Sequence, residues 1–128
     1  MSFCTDRVRV AMFVKRKATI SKEQFHQYWA ETHAPLVSSL NIVKANLLKY
    51  EQAHTNETMI THLTPMALPF PLSEWDGIAI FEAESYAKFF EVCQSEEYQR
   101  KLVPDEDAFL DRKGCQLLLL NVLTVIDK

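Results

Sequence analysis

The chain has 128 residues, 48% of them hydrophobic, with 14 basic and 17 acidic side chains and a net charge of −3. That length fits one domain over residues 1–128, of a size that buries only about two-thirds of its unfolded surface and so gains from a partner subunit. The interspersed charges argue against nucleic acid or a membrane surface as partner, since both select clustered Lys and Arg; the short run Lys15-Arg16-Lys17 reads as a solvated turn.

Cys4, Cys93 and Cys115 are widely spaced and show no C-x-x-C pair, which predicts free, buried thiols in a reducing compartment rather than a zinc site or disulfides. The N-terminus lacks the apolar run of a signal peptide, and no stretch approaches the roughly 18 apolar residues of a membrane span. The expected location is cytoplasmic.

Val8, Val10, Met12 and Val14 alternate with Arg7, Arg9, Ala11 and Phe13, predicting a first strand over 7–14. Ser21-x-x-Gln24 is a capping box, with Ile20 and Phe25 placed for a hydrophobic staple. In the helix that follows, Phe25, Trp29, Thr32, His33 and Leu36 share one face, and Pro35 is expected to interrupt it near Ala34. Alternation from Ile42 to His54 predicts a second strand. Thr55 to Glu74 has no period and contains Pro65, Pro69 and Pro71, so a long irregular loop is expected, of the kind that often serves as a lid.

Asp76 to Ala83 predicts a third, central strand. Ser85 caps a second helix through Cys93. Ser95 starts a shorter helix that Pro104 should stop, with one more turn over 105–110. Gln116 to Ile126 predicts the last strand, and its Leu117–Leu120 run suggests burial on both faces. The order is β-α-β-β-α-β, a ferredoxin-like α+β arrangement with helices on one sheet face. Nothing in the chain is left to cover the other face, so a homodimer packed sheet to sheet is expected.

Phe25-His26-Gln27-Tyr28-Trp29, then His33-Ala34-Pro35-Leu36, resembles the F-x-x-Y-W-x-x-x-H-A-P-L signature of the EthD family. Asp76-Gly77-Ile78-Ala79, Ser95-x-x-Tyr98, Pro104-Asp105-Glu106 and Phe109-x-Asp111-Arg112 resemble its second half. The resemblance implies a dimeric α/β barrel of two four-stranded sheets with helices outside. The length and the proline-rich loop resemble a fungal branch, the decarboxylases of atrochrysone-type carboxylic acids.

Four histidines offer proton chemistry near neutral pH. His33, on the apolar helix face, is either a core histidine bonded to backbone or an imidazole lining a pocket. His54, at the exit of the second strand, is either solvated or at a pocket rim. His62 lies in the long loop, and His26 is expected to be exposed and inert. The phenols of Tyr28 and Tyr50 are hydrogen-bond donors. Trp29, Trp75, Phe81, Phe89 and Phe90 are core aromatics that also suit a flat ligand. Asp76 and Asp111 are expected to cap turns or pair with Arg112, and a buried Glu82 would need a partner and could orient a histidine. The histidines lack metal-site spacing, and with only Gly77 and Gly114 there is no phosphate loop, so no cofactor is expected.

The resulting expectation is a cofactor-free decarboxylase of an aromatic polyketide carboxylic acid. His33 or His54 would be the proton donor, and Tyr28 or Tyr50 the enolate partner. Trp29, Trp75, Phe81 and His62 would join Tyr50 around the substrate. Two alternatives share the pocket: a polyketide cyclase or dehydratase, and a non-catalytic ligand-binding accessory protein.

Overall fold

The structure, a computed structural model, describes residues 2–128. Strands β1 (Val8–Val14), β2 (Leu47–His54), β3 (Gly77–Ala83) and β4 (Gln116–Leu120) form one sheet in the order β2-β3-β1-β4, every pair antiparallel. This is the ferredoxin-like α+β fold, with β1 and β3 central. Val10 pairs with Phe81 and Leu119, Met12 with Ala79 and Leu117, and Tyr50 with Phe81. Since side chains alternate across a strand, these residues share the helix-covered face. Arg9, Ala11, Phe13, Ile78, Ile80, Glu82 and Leu118 stand on the other face.

Helix α1 (Lys22–Tyr28) begins with the expected capping box: the Gln24 N–H donates to Ser21 Oγ at 3.0 Å, and the Ser21 N–H to Gln24 Oε1 at 2.9 Å. Of the expected stripe, Phe25 (0% exposed) and Trp29 (1%) are buried between β1, β3 and Phe109, and His33 is buried beyond them, whereas Thr32 is exposed and Leu36 half-buried. The interruption expected at Pro35 does not occur. The helix widens into a π-turn over Trp29–His33, where the Ala34 N–H reaches the Trp29 carbonyl, and runs on as α2 (Ala34–Ser39). Pro104 is handled in the same way. A π-turn over Tyr98–Leu102 leads into α6 (Val103–Phe109), with the Val103 N–H on the Tyr98 carbonyl. Proline lacks an N–H and its ring crowds the carbonyl one turn back, so one extra residue in that turn relieves both problems.

Residues 42–46, expected as strand, are helical: α3 spans Asn41–Asn46. Its orphan N–H groups are capped from a distance, since the Glu97 carboxylate accepts from Asn41 at 3.1 Å and Ile42 at 2.8 Å. Leu40 and Val43 then pack with Val37, Val92 and Leu102. The expected loop over 55–74 contains α4 (Glu57–Leu63), capped by Asn56, whose side chain accepts from the Met59 N–H at 3.0 Å. No residue of α4 is buried, although Met59, Ile60 and Leu63 share one face of this short helix. Helix α5 (Tyr86–Gln94) is capped by Ser85 as expected.

Other expectations change. Strand β4 stops at Leu120, and as an edge strand it leaves Leu117, Leu118 and Leu119 between 42% and 51% exposed rather than buried on both faces. Cys4 is exposed, while Cys93 and Cys115 are half-buried; all three are free. Glu82 is buried, but it pairs with Arg7 at 3.0 Å and Arg9 at 2.7 Å, not with a histidine. Asp76 accepts the Arg16 N–H at 2.8 Å, and Asp111 caps the short turn Arg112–Gly114. Among the described residues no helix is long and apolar enough to cross a membrane.

Gly77 joins the sheet to α1 through a close approach. A Cβ there would lie 2.6 Å from the Trp29 ring and 2.7 Å from the Ala53 carbonyl oxygen. Neither neighbour is free to retreat, because one is buried and the other is backbone. Gly77→Ala should therefore cost about 1–3 kcal/mol through overpacking, read as a lowered urea midpoint; an unchanged midpoint would contradict this contact.

Candidate functional site

Between the sheet and the helices lies a cavity of about 440 Å³ with mostly apolar walls, including Trp29, Val37, Val43, Phe81, Phe89, Val92 and Leu102. The polar groups on its wall are few: His33, Tyr50, Tyr98 and Glu106, with Arg112, Lys113 and Gln116 where it meets solvent. A mostly apolar cleft of this size with a few convergent polar groups suits a small hydrophobic ligand.

His33 comes from the end of the first π-turn and is buried, at 6% exposure. Its Nδ1 lies 2.7 Å from Asp105 Oδ2 on α6, and the Tyr28 hydroxyl donates to the other oxygen of Asp105 at 2.5 Å. The carboxylate accepts Nδ1–H, which leaves the lone pair on Nε2. Among the described residues no fully buried side-chain nitrogen or oxygen lacks a partner. The unbonded Nε2 therefore keeps some accessible surface, and His33 lines the cavity. Burial lowers the His33 pKa below its ordinary 6.5, and Asp105 opposes this only in part, so the ring is a neutral base near pH 7.

Glu106 follows Asp105 on α6 and turns to the cavity instead. Burial raises its carboxyl above the ordinary range, against the pull of Tyr98 and Arg112. The Tyr98 hydroxyl donates to Glu106 Oε1 at 2.6 Å, and Arg112 Nε lies 3.3 Å from the same oxygen. Tyr98 itself is pushed upward, first by burial and then by Glu106. The cavity lining thus carries a histidine whose pKa is lowered and a carboxyl whose pKa is raised.

The residues expected from sequence fall into three groups. His33, Trp29, Tyr50 and Phe81 all line the cavity. Tyr28 lies behind His33, bound to Asp105, and that hydrogen bond raises its pKa to about 12. Trp75 is on the far sheet face against Phe13, its indole N–H donating to the Gly114 carbonyl at 3.1 Å; His62 is exposed on α4; and His54 lies outside the cavity with its ring against Trp29, centroids 4.3 Å apart. His26, expected to be free in solvent, is half-buried against His54. Sequence reasoning assigned no role to Asp105, Glu106 or Tyr98. The available signal was their place in the second family motif.

The sign of the His33 shift makes a stability prediction. A folded value below 6.5 means that neutral His33 contributes stability fully above about pH 6.5 and loses it as pH falls through the folded value. Between about pH 7 and pH 5 the Tm of wild type should fall more steeply than that of His33→Gln; parallel slopes would contradict the assignment.

The EthD domain family matches residues 17–113, and the chain belongs to that family. Over 98 residues it is 29% identical to a conidial pigment biosynthesis dehydratase EthD of Metarhizium robertsii, covering 75% of this chain and 68% of that protein. Among solved structures it is similar to an EthD-family protein of Bacillus halodurans, at TM-score 0.61 and 14% identity over 91% of this chain and 99% of that one. It is similar also to a dimeric protein of unknown function with a ferredoxin-like fold from Bacteroides fragilis, at TM-score 0.61 and 10% identity over 94% and 100%.

Proposed function

We propose that this chain is a homodimeric enzyme of secondary metabolism that removes water from a polyketide-derived hydroxy-ketone by side-chain acid–base chemistry. The observation that carries the reading is the pairing of His33 and Glu106 on one apolar cavity with opposite pKa shifts. Groups whose surroundings push their pKa values apart mark out the base and the acid. His33 Nε2 takes the proton from the carbon beside the substrate carbonyl. The electron pair forms the new carbon–carbon double bond as the carbon–oxygen bond breaks. Glu106 gives its proton to the departing hydroxyl, which leaves as water, and solvent returns the His33 proton to Glu106. Tyr50 supplies a hydroxyl to the carbonyl oxygen where negative charge develops. The pigment-biosynthesis dehydratase of M. robertsii supports this choice of reaction and substrate class.

Decarboxylation of an aromatic polyketide acid is the second reading, favoured by Arg112. This exposed guanidinium borders the cavity and also an open groove lined by Lys15, Arg16, Lys17, Lys22 and Lys113 together with Glu74, Asp76, Asp107 and Asp111; a substrate carboxylate would be held by Arg112 at the cavity mouth. Mass spectrometry of purified protein with a hydroxylated anthracenone carboxylic acid separates the readings. A product lighter by one water, absent with His33→Ala, is the expected result. A product lighter by one carbon dioxide would move the assignment to decarboxylase. Intact substrate retained by the protein would make it a binding protein.

The dimer is supported by the helix-free sheet face, where Phe13, Ile78, Ile80 and Leu118 present apolar surface, and by the dimeric solved protein of similar fold. Light scattering should give twice the chain mass; a monomer would overturn it.

A further inference from the structure

Outside the cavity, the polar side chains at the end of β2 form one continuous line. His26 Nδ1 lies 2.8 Å from His54 Nδ1, and His54 Nε2 lies 2.8 Å from Gln52 Oε1. Gln52 Nε2 is 2.9 Å from both the Trp29 carbonyl oxygen and the Tyr50 hydroxyl. The donors are forced one after another from the fixed end of this line. A backbone carbonyl only accepts, so the Gln52 amide nitrogen faces Trp29 and its oxygen faces His54. His54 Nε2 therefore carries the proton; in the neutral ring its Nδ1 offers a lone pair, and the His26 Nδ1–H donates to it. The Tyr50 oxygen accepts from Gln52, so its own hydrogen is unspent. The Tyr50 ring is stacked on Phe81, with centroids 5.2 Å apart and 6° between planes, and lines the cavity.

We propose that His26, His54 and Gln52 are positioning residues that fix the Tyr50 hydroxyl so that its hydrogen is presented to a substrate oxygen in the cavity. Only the last step, what that hydrogen meets, rests on the enzymatic reading above. With His26 Nδ1–H as the donor, the line requires His54 Nδ1 to be unprotonated. A proton added to His54 Nδ1 would set N–H against N–H across 2.8 Å unless His26 gave up its Nδ1 proton and kept the one on Nε2. The surroundings direct an extra proton elsewhere. Glu57 Oε1 and the Thr55 hydroxyl each lie 3.4 Å from His26 Nε2, and Lys22 pairs with the other Glu57 oxygen at 3.3 Å. A proton on His26 Nε2 thus meets a carboxylate. Trp29 lies against His54 and Phe25 against His26. Burial, with the neighbouring His26, lowers the His54 pKa and so supports the neutral ring that the geometry requires.

Imidazole nitrogen NMR of labelled protein between about pH 5 and pH 8, with the Tyr50 ζ-carbon observed alongside, tests the line without any substrate. The expected result is the Nε2–H tautomer of His54 near neutral pH. The Tyr50 signal should follow His54 protonation in wild type and cease to follow it in Gln52→Ala. An Nδ1–H tautomer of His54, or a Tyr50 signal indifferent to its titration, overturns the proposal whether or not the protein removes water. With turnover in hand, Gln52→Ala should lower kcat towards the about 10²-fold that loss of one oxyanion donor costs, with KM nearly unchanged. An unchanged kcat would refute the presentation of Tyr50 to substrate.

Discussion

Replacing His33 with asparagine should lower kcat/KM by about 10²–10⁴-fold, the usual contribution of a positioned general base. The side chain is held from behind by Asp105, itself bound to the Tyr28 hydroxyl, so its Nε2 is aimed before any substrate arrives. The same geometry sets the pH profile. A base must be neutral, so activity should rise with pH through a His33 value below 6.5. The acid must keep its proton, so activity should fall again above the raised Glu106 value, and Glu106→Gln should remove that upper limb along with most of the turnover. A fall of less than tenfold in His33→Asn would remove this histidine from the mechanism. Asp105→Asn offers a separate check. Its amide can donate to Nδ1 and so favour the tautomer with the proton on Nε2, which should lose activity while the fold is kept.

The second large effect is on stability. Trp29→Ala should cost about 3–5 kcal/mol, the range for emptying a buried aromatic site, which corresponds to a fall in Tm on the order of 10–20 °C for a domain of this size. Trp29 is 1% exposed, and its ring touches Phe25 and His54 and comes close to Gly77. It is also a wall of the cavity, so the same substitution should enlarge the pocket and weaken ligand binding. Thermal unfolding followed by circular dichroism measures the first effect. A Tm within a few degrees of wild type would show that the Trp29 site collapses without a void.

The stripe Phe25, Trp29 and His33 was legible because three- and four-residue spacing places these side chains on one face whatever surrounds them. The pairing of His33 with Asp105 was not, because 72 residues separate them and only the packing of α6 on the first helix closes the gap. His54 shows the reverse limit. Its place at the strand end was read correctly, but the Trp29 ring beside it decides that it stands outside the cavity. Glu106 carried a family motif but no local sign of burial: a single residue step along α6, about 100° around the helix, separates Asp105, bound to His33, from Glu106 on the pocket.

By itself the sequence determined the ferredoxin-like order, the β1 and β3 strands and the caps at Ser21 and Ser85, since each depends on side chains a few residues apart. Only the tertiary structure decided what long-range partners supply. The Glu97 carboxylate makes residues 41–46 helical despite an alternating pattern, and π-turns carry two helices past Pro35 and Pro104. Burial beneath the packed helices lowers the pKa of His33 and raises that of Glu106. Local periodicity dictates which face a residue shares; the dielectric and the partner it meets there belong to the folded chain as a whole.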